Sequence, residues 1–310
     1  MREKYPLLVI GFAMVIMLPI SVRGQARRDL EGIWTNGTVT PLERPAELGG
    51  KAFFSPAEAA EYEKQVRARN DGDRRDANPE ADLTIGYNDF WWDRGTKVVS
   101  TLRTSLIVDP PDGKLPPLTP EAQKRAAARA EARRLHPADG PEDLSLADRC
   151  MFRPGPPMLP AGYNNNHQII QTPEYVVIFS EMMHDARIIP IGNKPHLPST
   201  VRQWLGDARG HWEGNTLVVE TTNFTDKTNF RGSGEHMRLT ERFTRTGEDT
   251  LLYQFTVDDP ESFVRPWTAE LPLKRAPGPI FEYACHEGNY SLVNTLTSAR
   301  AEEKAAKANQ

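Results

Sequence analysis

At 310 residues the chain is long enough to bury a large core, either as one β domain or as two smaller ones. Its mean hydropathy of -0.57 leaves nothing beyond the N-terminus apolar enough to span a bilayer as a helix. A formal charge of -4 repels nucleic acid unless a basic patch overrides it.

Arg2 and Lys4 precede an apolar run from Leu7 to Ile20, followed by Val22-Arg23-Gly24 and a polar stretch from Gln25 to Asp29. This is the pattern of a secretory signal peptide spanning 1–24, with an N-terminal membrane anchor as the alternative. No Cys follows the run, which argues against a lipid anchor. Cleavage removes three basic residues and one acidic one, shifting the formal charge from -4 to -6. The expected location is periplasmic or secreted, with no membrane attachment once the leader is gone. In an oxidising compartment the two cysteines, Cys150 and Cys285, are expected to form one disulfide; buried free thiols or a nucleophilic cysteine are the alternatives.

The segment 25–160 reads as mixed structure. Gly32-Ile33-Trp34 resembles the first strand of lipocalin-like barrels, in which the Trp closes one end; an edge strand with one buried Trp is the plainer reading. Ser55-Pro56-Ala57-Glu58 supplies an N-cap, a first-turn Pro and an acid, predicting a helix over 56–69. Asn70 to Pro79 reads as a loop. Tyr87, Trp91 and Trp92 belong to the densest aromatic cluster, Tyr87 to Arg94, which suits either a ligand pocket or core packing. Strands are expected at Lys97 to Thr104 and Ser105 to Val108. A second helix capped at Thr119 runs to about Leu135. Its Lys124, Arg125, Arg129, Arg133 and Arg134 read as a solvated face and not as a nucleic-acid surface. A Pro-rich connector follows, from Pro137 to Pro160.

From 161 to 290 the pattern is an antiparallel β meander, and with 25–160 it is read as a single β-rich domain, 25–290. His167 to Gln171 is one strand, and Tyr175 to Ile189 continues into two more. If that run stays extended, Glu181, Asp185 and Arg187 share one face and His184 lies on the other; a break at Met183 or His184 would reunite Glu181 with His184. Trp212 leads through Glu213-Gly214-Asn215 into Thr216-Leu217-Val218-Val219, the signature of a hairpin. Met237 to Phe243 and Leu251 to Val257 alternate apolar and polar. Strands are expected to continue to Tyr290, carrying Glu241, Glu270, Glu282 and Cys285. A polar helical tail occupies 291–310. The predicted fold class is mainly β: a lipocalin-like barrel or strongly curved sheet with two or three peripheral helices.

Gly210-His211-Trp212-Glu213-Gly214-Asn215-Thr216-Leu217-Val218-Val219, Leu239-Thr240-Glu241-Arg242-Phe243, Asp258-Asp259-Pro260, Arg265-Pro266-Trp267-Thr268 and Glu282-Tyr283-Ala284-Cys285 together resemble a large family of uncharacterised exported proteins of environmental bacteria. The resemblance spans about Asn164 to Asn289 and implies export without implying an activity.

Groups that exchange protons near neutral pH are the place to look for chemistry. His167 begins a strand after Asn164-Asn165-Asn166, while His184, His236 and His286 adjoin Asp185, Glu235 and Glu287. The expected catalytic set is His184, Asp185, Arg187, His236, Glu241, His286 and Glu287, converging at one end of the barrel. In it Arg187 would hold an anionic group of the ligand, His184 or His286 would move a proton, and Glu241 or Asp185 would orient the imidazole. Tyr87, Trp91, Trp92, Asn165 and His167 are expected to bind ligand. No Gly-rich phosphate loop and no Gly-x-Ser-x-Gly is present. No organic cofactor is expected, and a divalent metal stays open because His and acids occur without diagnostic spacing. Three classes follow: an acid/base enzyme (lyase, isomerase or hydrolase) acting on a small, partly apolar or aromatic molecule, a non-catalytic carrier of a small apolar ligand, or a cell-envelope interaction protein.

Overall fold

Alternation of apolar and polar residues sets the architecture. On one strand, Thr250–Asp258, the side chains of Leu251, Tyr253, Phe255 and Val257 are buried while those between them are half-buried, as a two-residue period on a one-sided sheet requires. The computed structural model describes residues 28–75, 88–151, 155–227 and 230–308. The expected leader and Tyr87 lie outside the described residues.

The strands are β1 (Gly32–Thr35), β2 (Ile107–Asp109), β3 (Asn166–Gln171), β4 (Tyr175–Ser180), β5 (Ala186–Pro190), β6 (Asp207–Glu213), β7 (Thr216–Thr222), β8 (Arg238–Arg245), β9 (Thr250–Asp258) and β10 (Trp267–Arg275). Nine of them form one antiparallel path in the order β5-β4-β3-β1-β10-β9-β8-β7-β6, with β2 paired to β10 beside it. A parallel bridge between Ile191 and Gly210, with Gly192 N donating to Gly210 O at 2.8 Å, brings the two edges together. The result is a nearly closed barrel-like sheet, the predicted class. Asp207, buried at the start of β6, bonds His196, Leu197 N and Arg209 and so pins the crossover between β5 and β6. The β6–β7 hairpin turns at Gly214, whose φ of 59° is open to glycine at little cost.

β1 lies between β3 and β10, with Trp34 opposite His167 on one side and Arg275 on the other. Trp34 is fully buried and its Nε1 donates to Leu30 O at 2.9 Å. The guanidinium carbons of Arg245 and Arg275 lie 5.2 and 4.8 Å from its ring centre, a cation–π arrangement. The interior is filled by Phe243, Tyr253, Phe255, Trp267 and the aliphatic residues around them. Each such side chain contributes about 1.5–3 kcal/mol by leaving water.

Among the described residues three helices lie outside: α1 (Pro56–Arg69), α2 (Pro120–Leu135) and α3 (Tyr290–Ala308). Ser55 and Glu58 form a reciprocal capping box at α1, and Thr119 caps α2. α2 buries only Ala122 and α3 buries nothing, as their polar sequences predict. Among the described residues no helix is long and apolar enough to cross a membrane.

Two strand expectations are corrected. The strand expected at Ser105 to Val108 is β2, shifted to Ile107–Asp109, but Lys97 to Thr104 is not a strand: Val98 N and Val99 N donate to Glu63 Oε1 and Thr40 Oγ1 at 3.1 and 3.0 Å, so side chains have replaced ladder partners, and Leu102 turns left-handed at φ 57°. Strands also end at Arg275. Pro277 and Pro279 lack the N–H that a ladder needs, and 276–289 runs as loop and turn. Glu282 and Cys285 therefore lie off the sheet.

Candidate functional site

A carboxylate inside the barrel needs partners, because an unpaired buried charge is costly. Glu241, on the inner face of β8, is fully buried. Arg187 of β5 meets it with Nη1 to Oε1 at 3.0 Å and Nη2 to Oε2 at 2.5 Å. The Tyr253 hydroxyl donates to Oε1 at 2.8 Å and accepts from Met158 N at 3.1 Å. Burial works against the Arg187 charge, but Glu241 outweighs it and holds the guanidinium protonated. Burial, then the Glu241 charge, pushes the Tyr253 phenol well up. The three groups pair with one another, so both Nη atoms of Arg187 are engaged, and only its buried Nε–H has no acceptor among the described residues.

His167 of β3 also points inward and is buried. Asn36 Nδ2 lies 3.1 Å from its Nε2 and Ser180 Oγ 3.0 Å from its Nδ1. Because an amide nitrogen can only donate, Nε2 accepts and Nδ1–H donates to the serine. Burial, with the Arg187 charge adding to it, lowers the His167 pKa to about 4. The ring is neutral at physiological pH.

Above this interior lies a mouth built by a strained turn. After β4 the chain bends through Met182–His184, where Met183 and His184 adopt φ of 64° and 54° in succession. Two adjacent left-handed residues other than glycine cost energy and are concentrated at functional positions. The bend reunites Glu181 with His184, but on backbone. Buried Glu181 accepts from Asn166 Nδ2 and Phe281 N, both at 3.0 Å. His184 Nε2 lies 3.0 Å from Phe281 O and 2.9 Å from Tyr283 N, and its ring stacks on Phe179. The disulfide Cys150–Cys285, with Cα atoms 5.6 Å apart, ties down the same C-terminal segment.

Asp185 leaves this turn half-buried, and no described group hydrogen-bonds its carboxylate. Burial raises its pKa to about 6. Burial also raises that of Asp93, with the Glu181 charge adding to it. Among the described residues none of Asp93, Glu181 and Asp185 is ion-paired, and the Glu181 charge reaches Asp93. Its rings are Trp92, 6.0 Å from Tyr163, and Tyr283, stacked on Tyr163 at 6.4 Å. Trp92 fits because residue 162 is glycine: a Cβ there would come within 2.5 Å of the indole. Buried Asn165 fixes the loop beneath, accepting from Ala161 N at 2.7 Å and donating to Ala161 O and Asp93 O.

The residues expected from sequence thus divide. Asp185, His184, Trp92, Asn165 and His167 belong to the mouth or its floor, and Arg187 and Glu241 to the interior pair. Trp91 is 62% exposed beside Phe90. His236 is exposed, 3.6 Å from Glu261 and 4.0 Å from Glu235. His286 and Glu287 are exposed in a turn after the last strand. His184, His236 and His286 have no bonding partner in common, and of the four histidines read onto strands only His167 lies on one. Ser180, Asn36, Tyr163 and Tyr283 were not singled out; each is an ordinary residue of its segment, and only the register and the off-sheet course of 276–289 bring them here. Among the described residues no group of three or more His, Cys, Asp or Glu side chains is placed to hold a metal ion. No protein family, curated protein or solved structure matches the chain.

Proposed function

We propose that this is an exported protein that binds a small, partly apolar or aromatic molecule at the barrel mouth and acts on it by general acid/base chemistry, with Asp185 as the proton-transferring group. The observation that carries the reading is the placement of Asp185: a strained turn presents a half-buried carboxyl with no described partner, held at a pKa of about 6. A group at that value exchanges protons in both directions near neutral pH. The rings of Trp92, Tyr163 and Tyr283 supply flat apolar contact. The unpaired carboxyls favour a neutral or cationic ligand over an anion. The disulfide fits an oxidising compartment and so supports a periplasmic or secreted location.

The test is a screen of neutral and cationic cyclic compounds by thermal shift, followed by turnover assays on those that bind. The expected result is turnover whose rate follows one ionisation near pH 6 and falls about 100-fold or more in Asp185→Asn while binding persists. Binding without turnover in the unmodified protein would favour the carrier reading, for which the stacked Tyr163 and Tyr283 rings speak equally.

A further inference from the structure

A second recess is lined by Arg94, the residue after Asp93. It is a cavity of about 290 Å³ between α1 and the segments 38–42 and 159–161. Three arginines line it, Arg69 at the end of α1, Arg94 and Arg231, and no acidic residue does. Among the described residues no carboxylate lies within ion-pair distance of any of the three. Arg94 is held in place by its guanidinium stacking on Trp92, 4.0 Å from the ring centre. Its Nε–H is buried without an acceptor. A buried donor left unpaired costs about 1–3 kcal/mol, and a fixed guanidinium in a recess is the group best shaped to take a carboxylate or phosphate. The remaining wall is mixed: Thr38, Thr40 and Asn70 are polar, while Leu42, Leu106 and Leu159 with the Tyr62 ring give it an apolar side.

We infer that this cavity is a binding site for a small amphipathic organic anion, an aromatic or branched aliphatic carboxylate whose head group meets Arg94, Arg69 and Arg231 and whose apolar body rests on Leu106 and Leu159. Its volume falls at the lower end of the range of small-molecule sites, about 300–1,000 Å³, which limits the ligand to roughly one or two rings. Inorganic phosphate satisfies the head-group contacts alone and binds more weakly, because it leaves the apolar wall wet. The site is lined by arginines where the mouth carries carboxyls, and it shares with the mouth the loop 92–95 and the segment 159–163.

The experiment is titration calorimetry of the purified, disulfide-intact protein with phenylacetate, 3-phenylpropionate and indole-3-acetate, with phenylacetamide as the uncharged analogue and inorganic phosphate as the head group alone. At least one carboxylate binds at one site per chain, and the amide and phosphate bind at least about tenfold more weakly, the worth of one charge-assisted hydrogen bond. Arg94→Gln weakens carboxylate binding by about tenfold or more, and Arg231→Gln, a change at an exposed position, weakens it by a smaller factor. Asp185→Asn leaves it unchanged, which separates this site from the mouth. Equal binding of amide and carboxylate, unchanged affinity in both arginine variants, or no binding by any of the carboxylates would overturn the inference. So would phosphate binding as tightly as the organic acids, since the apolar wall would then have no part.

Discussion

Arg187 and Glu241 face each other across the barrel interior from β5 and β8, joined by two parallel hydrogen bonds although 54 residues separate them in the chain. An ion pair in such a place holds the two arms of the sheet in one register, and removing one partner strands the other charge. Glu241→Gln is expected to cost about 3–5 kcal/mol, measured by urea denaturation. The double variant Arg187→Met, Glu241→Met should cost much less than the two single changes added together, because neither charge is then left alone. Additive costs would show that the pair is not coupled.

Two groups give the protein opposing responses to acid. Asp185 is raised from 3.8 to about 6 in the fold, so the folded state takes up its proton first, and this group adds stability as pH falls from 6 towards 4. Screening at a partly exposed site limits its contribution to about 1 kcal/mol. His167 is lowered from 6.5 to about 4, so the unfolded chain binds the proton that the folded one refuses, and stability falls by about 3 kcal/mol over the same window. Asp185→Asn should therefore be slightly more stable than the unmodified protein at pH 7.5 and lose stability more steeply in acid. His167→Gln should flatten the acid loss. Denaturation midpoints from pH 4 to 7.5 decide both.

Gly162→Ala places a methyl group where the Trp92 ring lies. The indole must swing outward, with a red shift in tryptophan fluorescence and weaker binding of any ligand at the mouth. An unchanged spectrum together with unchanged affinity would show that Trp92 is not part of that wall.

The disulfide closes a loop of 135 residues, and in the chain-entropy account replacing both cysteines by alanine costs up to about 5 kcal/mol. The local consequence is more specific. Phe281 N and Tyr283 N, bonded to Glu181 and His184, should exchange with solvent markedly faster in the variant, whereas amides of β8 and β9 should change only as far as global stability does. Hydrogen exchange resolved by residue or peptide measures this.

The barrel was legible because its strands obey a two-residue period: Leu251, Tyr253, Phe255 and Val257 announce an inner face, and Glu241 stands out as the charge on that face. The helices were legible from their caps at Ser55 and Thr119. Period fails where side chains substitute for ladder partners, as Glu63 and Thr40 do for Val98 and Val99, and where prolines forbid pairing after Arg275. The mouth was half legible. A break at Met183 or His184 was foreseeable as an option, but its hand is set by packing against Phe281 and Tyr283, residues about 100 positions away. The expected meeting of His184 with His236 and His286 assumed that all three lay on strands, and none does.

β1 takes its neighbours from two distant parts of the chain, β3 beginning at Asn166 and β10 ending at Arg275. During synthesis β1 therefore waits without its second partner until β10 has been made. Contacts so distant in sequence form late and slowly. Ring closure therefore waits for β10, and the sheet stays open until that strand has been made. A truncation after Val257 should leave Trp34 water-exposed and the chain open to proteolysis, however intact its remaining strands.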